Sequence, residues 1–133
     1  MGSYEITIET TFSAAHAIML RGEREPVHGH DWHVTACFGG DELDSDGLLC
    51  DFHALEAVLK RITSAWHNRN LNDVEPFCSG LNPSAELVSR TISELLRAQM
   101  QPICSHSVHL CWVRVTEAPG CAATHYLDPK KTR

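Results

Sequence analysis

The sequence predicts an α+β fold: a four-stranded antiparallel sheet with two helices on one face. Three observations carry this. Residues 3–16 and 28–38 alternate with period two, the signature of half-buried strands. Two stretches with helical apolar spacing follow, and two further strand-like runs close the chain. Strands and helices that are grouped rather than alternating give an antiparallel sheet with its helices segregated to one side.

Each element has its own warrant. In the first strand Tyr4, Ile6, Ile8, Thr10 and Phe12 share one face, and Glu5, Thr7, Glu9, Thr11 and Ser13 share the other. Continued alternation puts His16 on the face of Phe12 and Ala14, pointing inward. Residues 17–27 contain Arg21-Gly22-Glu23-Arg24-Glu25-Pro26 and read as a polar loop. In the second strand His30, Trp32, Val34, Ala36 and Phe38 share a face, and Asp31, His33, Thr35 and Cys37 share the other, with Gly39-Gly40 as its end. Asp41 to Gly47 is an acidic, turn-like loop. Asp51 is a good helix cap, and Phe52, Leu55, Leu59, Ile62 and Trp66 define a helix over 52–66. The polar segment from His67 leads into a loop through Gly80. Asn82-Pro83 opens a second helix, with Asn82 as cap, and Pro102 stops it. Val108 to Glu117 and Cys121 to Leu127 flank the Ala118-Pro119-Gly120 turn, and Lys130 to Arg133 forms a basic tail. Such a sheet leaves two edges and one face uncovered, and strand-mediated oligomerisation is the expected remedy.

Composition narrows the function. The 133 residues fit one domain with a real core and carry a net charge of -6, against a nucleic-acid-binding surface. No apolar run reaches a membrane span, and residues 1–20 lack the layout of a signal peptide, so a cytoplasmic protein is the expectation. The six cysteines form no Cys-x-x-Cys pair and are expected as reduced thiols, with Cys37 and Cys111 as small core residues.

The chemistry-bearing stretch is His16, His28 and His30, at spacing His-x11-His-x-His. His28 and His30 lie two apart on a strand and point the same way, with His16 reaching in from a neighbouring strand. Three neutral imidazoles with an open fourth position suit a catalytic zinc ion, since structural zinc is usually closed by four protein ligands. His-Gly-His alone also describes ordinary histidines. No fourth ligand stands out, because Asp31 and His33 point away from His30 on a regular strand.

The element order and motifs together resemble the 6-pyruvoyl-tetrahydropterin synthase / 6-carboxy-tetrahydropterin synthase family, of the tunnelling fold. The matching stretches are Phe12-Ser13-Ala14-Ala15-His16, Val27-His28-Gly29-His30, Gly47 to Phe52, Leu71-Asn72, Asn82-Pro83-Ser84-Ala85-Glu86 and Val113-Arg114-Val115-Thr116-Glu117. The resemblance implies zinc at His16, His28 and His30, and a pterin anchored by Glu117, whose carboxylate suits two parallel N–H donors. It places Ser84 and Glu86 near the pterin-contacting segment, although both residue types also suit a helix start. It further implies trimers closed into barrels, often paired into hexamers, with sites between subunits.

Two departures shape the expected activity. The family's usual Cys, four residues before His-Gly-His, is Arg24 here, and arginine is neither nucleophile nor base. Glu25 stands one residue on, which resembles a subgroup with Glu in place of Cys, associated with folate synthesis; Glu23 is the second candidate. The family's Asp-His-x-x-Leu-Asn is His67-Asn68-Arg69-Asn70-Leu71-Asn72, so the proton-relay pair is altered, leaving His67 as a relay candidate or a partner of the helix dipole. The expected activity is zinc-dependent retro-aldol cleavage of 7,8-dihydroneopterin triphosphate to 6-hydroxymethyl-7,8-dihydropterin, with Glu25 as base and Arg21, Arg24 and Arg69 as candidate phosphate partners. The alternatives are a 6-carboxy-tetrahydropterin synthase of queuosine-type synthesis and a non-catalytic zinc- or pterin-binding member.

Overall fold

The computed structural model describes residues 2–128; the tail expected over Lys130 to Arg133 lies outside them. Two long strands dominate, β1 (Tyr4–His16) and β4 (His28–Gly40), with a small hairpin of β2 (Met19–Leu20) and β3 (Glu23–Arg24) between them. Helix α1 (Phe52–Ser64), a short strand β5 (Arg69–Asn70) and helix α2 (Ala85–Gln99) follow. Strands β6 (His109–Ala118) and β7 (Cys121–Tyr126) end the fold, and the sheet order is β5-β1-β4-β6-β7.

The α+β class and the grouped order are as expected, while four local features differ. The sheet is five-stranded and mixed, because β5 pairs parallel to β1 through Ala14↔Arg69 and Ala15↔Asn70. Asn68, at φ 60, turns the segment leaving α1, and its N–H donates to the Ser13 carbonyl at 2.6 Å. That turn lays a polar stretch along the outer edge of β1. The expected loop at 17–27 holds the β2-β3 hairpin, turned by Arg21 and Gly22 at positive φ. Strand β4 runs two residues past the expected 38, with its closing Gly39 and Gly40 still paired with Glu5 and Tyr4. The cap of α2 is Ser84, whose hydroxyl accepts from the Leu87 N–H at 3.2 Å, and Asn82 is used elsewhere.

One face of the sheet is apolar and covered. Ile8, Phe12, Val34, Ala36, Phe38, Val113 and Val115 meet Leu55, Leu59 and Ile62 of α1 and Val88, Ile92 and Leu96 of α2 in a single core. Helix α1 lies against β1, α2 lies against β6 and β7, and the helices touch each other. Trp32 is fully buried and stacks on Phe12 with ring centroids 5.8 Å apart. The other face is polar where β1 meets β4, with His33 Nε2 3.4 Å from the Glu9 carboxylate. Cys37 is buried as expected, although alternation puts it on this polar face and outside the helix-side core cluster.

Leu59 has no exposed surface at the meeting of α1 with the sheet. Leu59→Ala is expected to destabilise the fold by about 2–5 kcal/mol through lost burial and a residual cavity. Urea unfolding checks this, as a lower midpoint at an unchanged slope.

Candidate functional site

The register of β1 on β4 builds the site. His16 pairs directly with His28, and Ala14 pairs with His30. Directly opposed residues of antiparallel strands project to the same face, here the helix side. The ring centroids of His16, His28 and His30 lie 4.8–5.1 Å from one another. One ligating atom from each ring falls within 4.8 Å of the others. Trp32 makes edge contacts with His16 at 4.8 Å and His30 at 5.7 Å, so an indole floors the cluster.

The neighbours fix which nitrogens face inward. His16 Nδ1–H donates to the Pro83 carbonyl at 2.7 Å, just ahead of α2, and His28 Nδ1–H donates to the Pro26 carbonyl at 3.0 Å. Their Nε2 atoms are therefore lone-pair donors, as metal-ligating imidazoles require. The Nε2 atoms of His16 and His30 are sealed from water and have no hydrogen-bond partner among the described residues. Buried polar atoms rarely stay unpaired, so an ion is the partner this arrangement fits. Burial, chiefly, and the adjacent imidazoles hold His30 below its ordinary pKa, opposed by Glu117 and Glu25, which favours the neutral ligating form.

Two carboxylates flank the imidazoles. Glu117 Oε2, from the end of β6, lies 3.5 Å from His16 Nε2, and Glu25 Oε1 lies 3.7 Å from His28 Nε2. A carboxylate facing an imidazole lone pair is repulsive unless a cation or proton stands between them. The donor set thus suits a divalent ion with carboxylates beside it, and it offers the fourth-ligand candidates that strand alternation alone did not. Glu25 is held by the hairpin: its side chain accepts from the Ile18 N–H at 3.1 Å, and its own N–H donates to the Ile18 carbonyl at 3.1 Å. Glu23, by contrast, is exposed in β3, as are Arg21 and Arg24 on the same hairpin.

The other expected site residues lie elsewhere. Ser84 is occupied as the helix cap, and Glu86 is exposed in the first turn of α2. From this segment it is the preceding backbone, the Pro83 carbonyl, that reaches His16. His67 Nδ1 accepts from the Ser13 N–H at 3.1 Å and pins the outer edge of β1, in a groove shared with Thr10, Lys60 and Ser64. Arg69 and Asn68 line a cavity of about 530 Å³ with Ser13, Gly29 and Asp31. Ser13 donates to Asp31 at 2.6 Å on the face opposite the imidazoles, and His30 also lines this cavity, so it borders the cluster.

Two asparagines not singled out as site residues support the cluster. Asn72 Oδ1 accepts from the Ala17 N–H at 2.8 Å, and its amide donates to the Ala17 carbonyl at 2.9 Å. Asn82 clasps both backbone groups of Met19 in the same way, at 2.8 and 3.2 Å. The signal for Asn72 lay in the Leu71-Asn72 motif, whose purpose no local rule disclosed.

Comparison with known proteins agrees with this geometry. The family profile described as 6-pyruvoyl tetrahydropterin synthase matches residues 5–128. The 6-carboxy-5,6,7,8-tetrahydropterin synthase of Bacillus subtilis is 33% identical over 107 residues, 76% of this chain and 70% of that relative. The solved 6-pyruvoyl tetrahydropterin synthase of Caenorhabditis elegans superposes with a TM-score of 0.79 at 19% identity, covering 96% of this chain and 98% of the other. That of Plasmodium vivax gives 0.78 at 20% identity, covering 96% and 99%.

Asn72→Ala orphans both backbone groups of Ala17, which is wholly buried. The expected cost is about 1–3 kcal/mol for each unsatisfied group. Urea unfolding of the variant measures it, and a loss near zero would mean that the clasp at the end of β1 is dispensable.

Proposed function

As the chain belongs to the 6-pyruvoyl tetrahydropterin synthase family of pterin-synthesising enzymes, we propose that it is a zinc-dependent carbon–carbon lyase. Its substrate in this reading is 7,8-dihydroneopterin triphosphate and its product 6-hydroxymethyl-7,8-dihydropterin. The carrying observation is the Glu25 carboxylate, 3.7 Å from His28 Nε2, in a stretch where the usual family cysteine is replaced by Arg24. A Plasmodium vivax 6-pyruvoyltetrahydropterin synthase, solved in forms with a catalytic glutamate replaced by alanine or by cysteine, supports a glutamate in this role.

The Nε2 atoms of His16, His28 and His30 are the ligands proposed for zinc. Bound there, zinc supplies a Lewis acid that acidifies a hydroxyl of the substrate side chain. Glu25 takes the proton of that hydroxyl. The oxygen's electrons form a carbonyl as the adjacent carbon–carbon bond breaks, and the bond pair passes into the imine of the dihydropterin ring. Reprotonation of the side-chain carbon leaves the hydroxymethyl group, and an aldehyde carrying the triphosphate departs. Glu117 is the proposed anchor for the pterin's N–H edge. Ser84 and Glu86, at the start of α2 beside the carbonyl that orients His16, are proposed to border the pterin. His67 is the second candidate for proton transfer. Its exposed place on the β1 edge suits that role only toward a neighbouring chain. Such a neighbour is part of the proposal. Among the described residues the outer edge of β1 has a strand partner only at Ala14 and Ala15, and pairing between copies into trimers or hexamers would cover the rest.

The second reading is a 6-carboxy-tetrahydropterin synthase acting on the same substrate, favoured by the 33% identical Bacillus subtilis relative. Turnover of 7,8-dihydroneopterin triphosphate by the zinc-loaded protein, with products separated and identified, decides between them. Hydroxymethyl-dihydropterin is the expected product. Carboxy-tetrahydropterin would transfer the assignment to the second reading, and pterin binding without product would point to a non-catalytic member.

Two variants test the residues. Glu25→Gln is expected to lower turnover about 10²- to 10⁴-fold, the usual span for a lost general base, with zinc content unchanged. Near-normal turnover with zinc bound would remove Glu25 from that role. His16→Ala is expected to abolish stoichiometric zinc by elemental analysis at that site, since it deletes a ligand and opens the sealed pocket.

A further inference from the structure

A second donor set lies on the opposite face of the sheet, at its other end. Three adjacent strands converge there: Glu5 of β1 pairs with Gly39 of β4, and Gly39 pairs with His109 of β6. Cys37 lies two residues before Gly39, and Cys111 two residues after His109, at the bulge that interrupts the β4–β6 register. Such a bulge re-aims the side chain it carries. The Cys37 thiol donates to Glu5 Oε2 at 3.3 Å. The donor atoms of Glu5, Cys37 and Cys111 all fall within 4.8 Å of one another.

Gly39 is what allows this convergence. A Cβ built on it would stand 2.9 Å from Cys111 Sγ and 3.4 Å from His109 Nε2. Any other residue would push the thiol and the imidazole apart, so both ligating atoms lean over the same bare backbone. They open on a cavity of about 410 Å³ lined by Glu5, Gly39, His109 and Cys111.

We infer that Glu5, Cys37, Cys111 and His109 form a second divalent-cation site, chemically distinct from the three-histidine cluster. Two thiols, one imidazole and one carboxylate are a four-donor set for a borderline-soft ion such as zinc or cobalt. Four protein ligands make a closed site, whose role is to tie three strands together rather than to bind substrate. At zinc bond lengths of about 2.0–2.3 Å, tetrahedral ligands stand about 3.3–3.8 Å apart. The Glu5, Cys37 and Cys111 donors already stand within 4.8 Å of one another, and His109, across Gly39, is the fourth donor that the inference adds. The bland alternative is a thiol–carboxylate hydrogen bond with a second thiol beside it. A nucleophilic role fits poorly, because burial and the Glu5 carboxylate push the Cys37 thiol up to about 12.

Cobalt separates the two sites, since only this one offers sulfur. The full-length protein, stripped of metal and kept in a non-thiol reductant, is loaded with Co²⁺ and followed by absorption and elemental analysis. The expected result is two cobalt ions per chain with a near-ultraviolet thiolate-to-cobalt charge-transfer band. His16→Ala should lose one ion and keep the band. Cys37→Ser and Cys111→Ser should each lose the band. Glu5→Gln, at an exposed strand position, provides the test should the buried Cys37 variant fail to fold. It is expected to weaken the band-forming ion about tenfold or more. One cobalt without a band would overturn the inference. So would a band that survives in folded Cys111→Ser, or an unchanged affinity in Glu5→Gln.

Discussion

The register of β1 on β4 is the constraint on which the rest of this structure depends. Pairing His16 with His28 and Ala14 with His30 places three imidazoles on one face. A slip of β4 by one residue would send His28 and His30 to the other side of the sheet, away from His16, because side chains alternate with period two. The register is therefore held by more than backbone ladders. Trp32, opposite Phe12, stacks on it, and its indole N–H donates to the Ala14 carbonyl at 3.1 Å. That hydrogen bond and that stack are lost together if the strands shift. The residue two positions along from His30 thus fixes where His30 points.

The loops complete what the strands begin. Pro83 and Pro26 present backbone carbonyls to His16 and His28, and each sets a tautomer. Asn72 and Asn82 clasp the chain just after His16, where β1 has no further pairing with β4. The hairpin then returns Glu25 to His28 by bonding both of its polar ends to Ile18. The Pro83, Asn72 and Asn82 contacts join segments distant in sequence, those of Pro26 and Glu25 are local, and each satisfies a backbone group that would otherwise be costly near the core. The same hydrogen bonds that finish the fold therefore also orient the ligands.

This explains what was legible in the sequence. Period-two alternation over 3–16 and 28–38 gave the two long strands and the inward face of His16, because burial on one face enforces it. Helical stripes with Asp51 at the first cap gave both helices. What escaped was set by non-local polar contacts. Asn82 looks like a helix cap beside Pro83, yet Ser84 takes that role while Asn82 serves Met19. The strand at Arg69–Asn70 has no apolar pattern of its own and exists only because β1 offers it an edge. Cys37 and Cys111 have the composition of core residues, and only three-dimensional pairing reveals Glu5 and Gly39 between them. The sequence points to Glu25 first and Glu23 second, and in the hairpin turned at Arg21-Gly22 it is Glu25 that lies beside His28.

Strand β4 carries both donor sets, and its geometry keeps them apart. His28 and His30 open the strand, and Cys37 and Gly39 stand near its end, each nine positions beyond its counterpart. At about 3.3 Å per residue this is roughly 30 Å, several Debye lengths at physiological salt. The two sets also face opposite sides, one under the helices and one on the polar face. Direct electrostatic coupling between them is therefore negligible, and any influence must pass through the rigidity of the strand itself. The strand is suited to that separation. Its central residues Val34 and Ala36 are fully buried in the common core, so neither end can shift without disturbing the packing between them. A change confined to one end should leave the chemistry of the other intact, since distant, independently packed sites behave additively.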